Sequence, residues 1–124
     1  MVHDSESAFE NVRLPFFKAF DRVQQLIYEN ALEKGFWAED HGAHTDATKA
    51  MLVVTEISEY VEARRTDDMV SEKIPGFTHA EEEIADAVIR LMDLAGGRGL
   101  HLAAAILAKM EYNRSRPALH GKKF

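Results

Sequence analysis

The stretch EEEIADAVIRLMD, residues 81–93, decides the fold of this 124-residue chain. Its apolar residues recur every three or four positions, the spacing of one face of an amphipathic helix. A second set, Glu83, Asp86, Arg90 and Asp93, recurs at the same spacing and is charged. Apolar residues flank this charged set on both sides. The stretch therefore predicts a mostly buried helix that carries a narrow stripe of charge.

Helical patterns continue outward from this stretch over most of the chain. Thr78 and Glu81 have the spacing of a capping box and predict where the helix begins, and Gly96 and Gly97 predict where it ends. The other predicted helices run over about Pro15–Lys34, Asp46–Arg65 and Leu100–Arg116. No segment alternates as a β-strand does. The prediction is an all-α, four-helix bundle in a single domain over residues 1–124.

Composition excludes several classes of protein. The formal net charge of −6 argues against nucleic-acid binding, and the absence of cysteine excludes disulfides and thiolate metal sites. No apolar run reaches the roughly 18 residues that a membrane span needs. The N-terminal residues lack the basic start and apolar stretch of a signal peptide. A cytoplasmic protein without a membrane or nucleic-acid partner is expected.

The helix predicted over residues 46–65 carries a second acidic pair, Glu56 and Glu59, on one face. Its apolar residues form the predicted core face: Ala50, Val53, Val54, Ile57, Tyr60 and Val61. If the two stripes face one another, four carboxylates converge. Burying them unpaired costs on the order of several kcal/mol each, which a hard divalent cation such as Mg²⁺ relieves. Solvated glutamate pairs at this spacing are the ordinary alternative.

Two other metal chemistries fit the sequence less well. A di-iron carboxylate bundle uses Glu-x-x-His pairs, and no histidine lies three residues after Glu59 or Glu83. His41 and His44 are three residues apart in a predicted loop, but no third ligand accompanies them. The four carboxylates remain the best candidate for a metal site.

Two segments resemble the motif of a known superfamily. TEISEYVEA, residues 55–63, followed by residues 81–93, resembles the Glu-Glu-x-x-Glu and Glu-x-x-Asp motif of the MazG-like, all-α nucleoside triphosphate pyrophosphohydrolases. That superfamily includes dimeric dUTPases and dCTP pyrophosphatases. The segments KGFW, residues 34–37, and KMEYNRSRPALHGKKF, residues 109–124, resemble its flanking regions. One departure is Thr55, which stands where the motif has its first glutamate.

The resemblance implies a magnesium-dependent hydrolase that cleaves nucleoside triphosphates between the α and β phosphates. It places the metal ligands at Glu56, Glu59, Glu83 and Asp86, with Mg²⁺ as the cofactor and Mn²⁺ as a substitute. Glu56 or Glu59 would help to activate the attacking water. The products are a nucleoside monophosphate and pyrophosphate, and the implied role is housecleaning of the nucleotide pool.

Nucleotide contacts are expected from the last helix and from one aromatic residue. Lys109, Asn113 and Arg116 recur on one face, where they could hold phosphate oxygens or the sugar. Relatives of the superfamily place the matching lysine and asparagine in the nucleotide site. Trp37 is the candidate for stacking on the base, and a loop aromatic that caps the bundle core is the alternative.

Assembly is expected because Phe16, Phe17 and Phe20 are more than one helix face can hide in a small bundle. Members of the superfamily form dimers and tetramers, so a homotetramer built as a dimer of dimers, or a homodimer, is predicted. A non-catalytic helical interaction protein, whose acidic stripes bind a basic partner or pair with arginines, is the alternative function.

Overall fold

The computed structural model describes residues 2–38 and 46–124, with side chains from Glu6 onward. The four main helices are α1, Val2–Glu33; α2, Asp46–Arg65; α3, His79–Arg98; and α4, Leu102–Arg114. A short 3₁₀ turn, Ala118–Gly121, follows them. Over these described ranges the β structure is limited to one isolated antiparallel bridge between Val70 and Thr78. The all-α prediction is confirmed.

The capping signals of α3 act as the sequence predicts at its start. The Thr78 side chain accepts from the backbone N–H of Glu81, and the Glu81 carboxylate accepts from the backbone N–H of Thr78. The predicted end at Gly96 and Gly97 is wrong by a short distance. Gly99 is the residue that terminates the helix, because its φ of 67° lies in the left-handed region that glycine adopts without strain.

The helix α1 begins well before its predicted start at Pro15, which lies inside it. A proline inside a helix removes one backbone hydrogen bond. Phe9, one turn and a half earlier, is only 8% exposed, and the guanidinium carbon of Arg114 lies 5.7 Å from the centre of its ring. Burial of this aromatic ring stabilises the extra turns, an interaction that the sequence pattern around Pro15 does not reveal.

Two compact units make up the chain. One contains α1 up to Val23 together with the residues from Leu100 onward, and the other spans Gln24–Gly99. In the first unit, α1 and α4 line an open groove of about 460 Å³. Its lining combines apolar and charged side chains: Phe9, Glu10, Arg13, Leu14, Phe17, Ala104, Leu107, Ala108 and Glu111. The prediction of a single domain stays a prediction.

In the second unit α2 and α3 pack against each other in antiparallel fashion. Arg98, at the end of α3, donates to Asp46 at the start of α2. Nearer the middle, Arg90 Nε donates to Glu56 Oε1 over 2.9 Å. The segment 66–78 connects the two helices. The charged residues of α2 and α3 therefore lie opposite one another in antiparallel order.

The face of α2 that packs on α3 is not the one that its apolar residues predict. Ile57 and Val61 are 43% and 49% exposed, whereas Glu56 is 7% exposed. The predicted core face is therefore wrong within this chain. On the same side of α2 as the buried Glu56, Leu52 and Ala63 are half-buried and Glu59 is exposed. No single described helix has both the length and the apolar character to cross a membrane; α3 and α4 reach that criterion only when taken together.

Candidate metal centre

Three carboxylates meet between α2 and α3. Ligand oxygens of Glu56, Glu59 and Glu83 all lie within 4.8 Å of one another. These three residues are called the carboxylate cluster below. Glu56 and Glu59 come from consecutive turns of α2, and Glu83 comes from the first turns of α3, where the capping box sets the position of the helix. The helical spacing in the sequence thus becomes a convergence in space.

The cluster distributes its charge unequally. Burial raises the pKa of Glu83 to about 8, with the neighbouring carboxylates of Glu59 and Glu56 adding to the effect. Burial also acts to raise the pKa of Glu56, but the hydrogen bond from Arg90 outweighs it and the pKa is lowered. Without a further cation, the site therefore holds Glu56 ionised and Glu83 protonated near neutral pH.

One oxygen of the cluster lacks a donor. Glu83 Oε2 is buried and has no hydrogen-bond partner among the described residues. A buried carboxylate oxygen without a partner carries a desolvation cost that a hard cation would remove. Carboxylate oxygens are the donors that a divalent metal such as Mg²⁺ prefers, so the three convergent residues fit the group.

Asp86, the fourth predicted ligand, lies outside this set of mutually close oxygens. It is half-buried one turn along α3. Burial raises its pKa, and the charges of Glu56 and Glu82 raise it further, so Asp86 lies close enough for the charge of the cluster to affect its pKa.

Thr55, at the motif's first glutamate position, is exposed and donates to the Leu52 carbonyl over 2.6 Å. Its hydroxyl serves its own helix rather than the cluster.

The cluster opens into an acidic cavity of about 260 Å³. Glu59 and Glu83 line it together with Asp67, Asp68 and His79, among others. Sites for whole drug-sized ligands usually occupy about 300–1,000 Å³. This cavity is large enough for a hydrated cation with part of a ligand.

Sequence reasoning missed Glu82, the most buried carboxylate of α3. Glu82 is 7% exposed and accepts from the hydroxyl of Ser71 over 2.9 Å, and Ser71 is 1% exposed. The Ser71 hydroxyl also accepts from the backbone N–H groups of Lys73 and Ile74. This network fastens the α2–α3 connection to the helix that carries Glu83. In a run of three glutamates, the sequence offers no signal that singles out the middle one.

A second group of potential ligands shares a residue with the cluster. His79, Glu82 and Glu83 also bring ligand atoms within 4.8 Å of one another. The Glu82 carboxylate is already engaged with Ser71, and its other oxygen lies 3.7 Å from His79 Nδ1. Both groups contain Glu83, and the first is the better candidate because Glu82 in the second has one oxygen bonded to Ser71 and the other near His79, whereas Glu59 in the first lines the acidic cavity.

Trp37 lies at the far end of the same helix pair, and its ring is packed. Its Nε1 donates to Asp93 Oδ1 over 2.9 Å, and Lys49 Nζ lies 3.8 Å from its ring centre. Tyr28 meets it edge-on at 5.5 Å. A Cβ atom added at Gly97 would lie 2.2 Å from the ring, so glycine is required there. These contacts match a core-capping aromatic, and stacking on a base would require Lys49 to move from the ring.

The predicted phosphate-binding residues form a separate face on α4. Lys109 Nζ lies 4.4 Å from the centre of the Tyr112 ring, and the Arg116 guanidinium carbon lies 5.5 Å from it. Arg116 also donates to the backbone carbonyl of His120. The side-chain oxygen of Asn113 is buried and has no hydrogen-bond partner among the described residues. This face belongs to the unit of α1 and α4. The predicted pair His41 and His44 lies outside the described residues.

Comparison of the chain with protein-family models, with curated proteins and with solved structures finds no match.

Proposed function

We propose that this chain is a magnesium-dependent nucleoside triphosphate pyrophosphohydrolase of the MazG-like, all-α class. The observation that carries the proposal is the carboxylate cluster, in which oxygens of Glu56, Glu59 and Glu83 approach within 4.8 Å and the buried Oε2 of Glu83 lacks a hydrogen-bond partner among the described residues. The resemblance of residues 55–63 and 81–93 to the superfamily motif supports it. The substrate would be a nucleoside triphosphate in the cytoplasm, and the role would be housecleaning of the nucleotide pool.

Glu56, Glu59 and Glu83 would hold Mg²⁺, with Asp86 completing the set. When bound, the metal supplies neutralisation of the phosphate charge and lowers the pKa of a coordinated water. Deprotonation of Glu83 is required of the protein, because a protonated carboxyl is a poor metal ligand. A cation beside it counteracts the burial and the carboxylate repulsion that raise its pKa.

Of the two candidate bases, Glu59 fits the role better. Glu56 is 7% exposed and is committed to Arg90. Glu59 is exposed and lines the acidic cavity. A general base must reach the proton that it removes, directly or through one water. Glu59 would therefore orient the attacking water, and Glu56 would act as a fixed ligand.

The nucleotide contacts proposed for this function come from Lys109, Asn113, Arg116 and Trp37. The buried side-chain oxygen of Asn113 needs a donor, which a sugar hydroxyl or an amino group could supply. Lys109 and Arg116 both lie against Tyr112, which gathers their two charges on one face. For Trp37 to stack on the nucleobase, the Lys49 side chain would have to leave the face of the ring and the base would have to take its place.

The competing function is a helical interaction protein without catalysis. The ion pair between Arg90 and Glu56 favours it, because that contact neutralises part of the stripe without a metal. This reading predicts that divalent cations leave the stability of the protein unchanged. A ligand that binds only the folded state raises its stability by mass action, so metal dependence separates the two functions.

The test of the proposed function combines product analysis with matched variants. Nucleoside triphosphates incubated with the protein and Mg²⁺ should yield monophosphate and pyrophosphate in equal amounts. Glu59→Gln and Glu83→Gln should lower kcat at least about a hundredfold, since each removes a charge at the reacting centre. Glu72→Gln, an exposed acid in the connecting segment, is the matched control and should keep wild-type turnover. Release of orthophosphate, or full activity in the cluster variants, would contradict the proposal.

A further inference from the structure

A permanent positive charge lies within the candidate metal centre. Arg90 Nε donates to Glu56 Oε1 over 2.9 Å, and the side chains of the two residues are 39% and 10% exposed. The contact crosses from α3 to α2, so it fixes the position of the Glu56 carboxylate relative to the cluster. An arginine carries its charge at every accessible pH.

The contact uses only part of the guanidinium. Arginine has five N–H groups in a planar fork, and here the Nε–H is the one engaged. The two terminal nitrogens donate no hydrogen bond to any residue that the structure describes. Because the side chain is partly exposed, these nitrogens are available to a ligand at the edge of the cluster.

Arg90 does not favour the binding of a metal ion that arrives without an anion. The positive charge repels an approaching metal ion and occupies one oxygen of a ligand residue. An anion that arrives with the metal has the opposite requirement, because the carboxylates repel it and a fixed arginine offsets that repulsion. An arginine in this position is thus suited to a ligand that combines a divalent cation with an anion such as phosphate.

We propose that Arg90 is a phosphate-binding and positioning residue, whose Nε holds Glu56 and whose terminal nitrogens donate to phosphate oxygens of the metal-bound substrate. The inference rests on the proposed function and assigns a phosphate contact within the α2–α3 unit itself. This contact is additional to the lysine and arginine of α4.

The proposal predicts effects of opposite sign on two ligands. Arg90→Gln should bind Mn²⁺ alone at least as tightly as the wild type, because a repelling charge is removed. The same variant should bind the Mg²⁺ complex of inorganic tripolyphosphate about tenfold or more weakly, since charge-assisted hydrogen bonds are lost. In nucleotide hydrolysis, KM should rise more than kcat falls. Mn²⁺ binding is read by electron paramagnetic resonance and tripolyphosphate binding by calorimetry.

Two other variants complete the test. Arg65→Gln removes an exposed charge from α2 that is paired with Glu62, and it should leave both affinities unchanged. Arg90→Lys keeps the charge without the fork, so it should keep the Mn²⁺ affinity of the wild type while weakening tripolyphosphate binding. This variant carries the test if Arg90→Gln does not fold.

The outcomes distinguish failure of the proposed function from failure of the role proposed for Arg90. A wild-type protein that binds no Mn²⁺ contradicts the proposed function itself. A wild-type protein that binds Mn²⁺, together with Arg90 variants that bind tripolyphosphate as the wild type does, overturns the role of Arg90 and leaves the metal centre intact. Parallel loss of both ligands in a folded Arg90 variant also overturns it, because that result would show a purely structural ion pair.

Discussion

At Glu83, the position of the residue on α3 determines the protonation of its carboxyl group. The residue follows the capping box of α3 by two positions, and the antiparallel packing of α2 sets two carboxylates beside it. The resulting burial and repulsion raise its pKa to about 8. Arg90 donates to Glu56, and uptake of a proton relieves the burial and repulsion at Glu83.

This raised pKa predicts how the stability of the metal-free protein depends on pH. The Glu83 carboxyl has a pKa near 4.5 when unfolded and about 8 when folded, so the folded state binds its proton more tightly. Stability should therefore fall as pH rises from about 5 to 8, by about 1–3 kcal/mol once the linkage energy is reduced for screening of this partly exposed group by solvent. Glu83→Gln should remove this fall, and Mg²⁺ should offset it in the wild type at pH 8. Thermal unfolding in chelator, with and without Mg²⁺, measures both effects.

Parallel pH profiles for the wild type and Glu83→Gln would contradict the assignment of the raised pKa to this residue. Glu72→Gln is the control, since its exposed carboxyl should leave the profile of the wild type unchanged.

Among the elements, the connection between α2 and α3 is fixed by side-chain hydrogen bonds to the backbone and to α3. Ser71 is almost completely buried, and its hydroxyl links the Glu82 carboxylate to two backbone N–H groups. Asp68 accepts from the backbone N–H of Ala80, which ties the same segment to the first turn of α3. The segment thereby sets the start of the helix that carries Glu83.

Removal of the Ser71 hydroxyl should loosen this connection. Ser71→Ala leaves a buried carboxylate and two backbone N–H groups without their partner, a loss of buried hydrogen bonds that should lower the melting temperature by roughly 5 °C. Ser115→Ala is the matched control, because its hydroxyl donates to the Tyr112 carbonyl at an exposed position. Circular dichroism melting curves compare the two variants. Equal shifts for both would mean that the network adds no stability.

At the scale of the whole molecule, a single chain leaves many large apolar side chains exposed. On α2 and α3 these residues recur at helical spacing: Val54, Ile57, Val61, Ile84, Val88 and Leu91, each 40–55% exposed. An open cavity lined by Tyr60 and Arg64 of α2 and by Ile84 of α3 shows that the two helices share this side. Exposed apolar residues on one side of a helix pair support an interface there. A homodimer or a homotetramer, built as a dimer of dimers, is proposed.

This proposal predicts that the protein is an oligomer that a single charge can weaken. Ile57→Lys should shift the molar mass measured by light scattering towards that of one 14.0 kDa chain. Ser58→Lys is the control, because one residue further along a helix the side chain points about 100° away. A wild-type protein that runs as a monomer at micromolar concentration would contradict the proposal.

The sequence by itself determined those features that depend on interactions within one or two helical turns. The extent of α2, the capping box at Thr78 and the pairing of acids at three-residue spacing are of this kind. Caps and side-chain neighbours on a helix act over three or four residues, so a pattern in the sequence contains all the information that they need.

Only the tertiary structure decided which faces are covered and which acids meet. It placed Glu56 against α3 and left Ile57 exposed, joined Glu82 to Ser71, and set Asp86 apart from the close group of oxygens. It also continued α1 through Pro15. These outcomes depend on contacts between residues far apart in the chain, because burial is a property of the packed helices together and the spacing within one helix does not specify its neighbour.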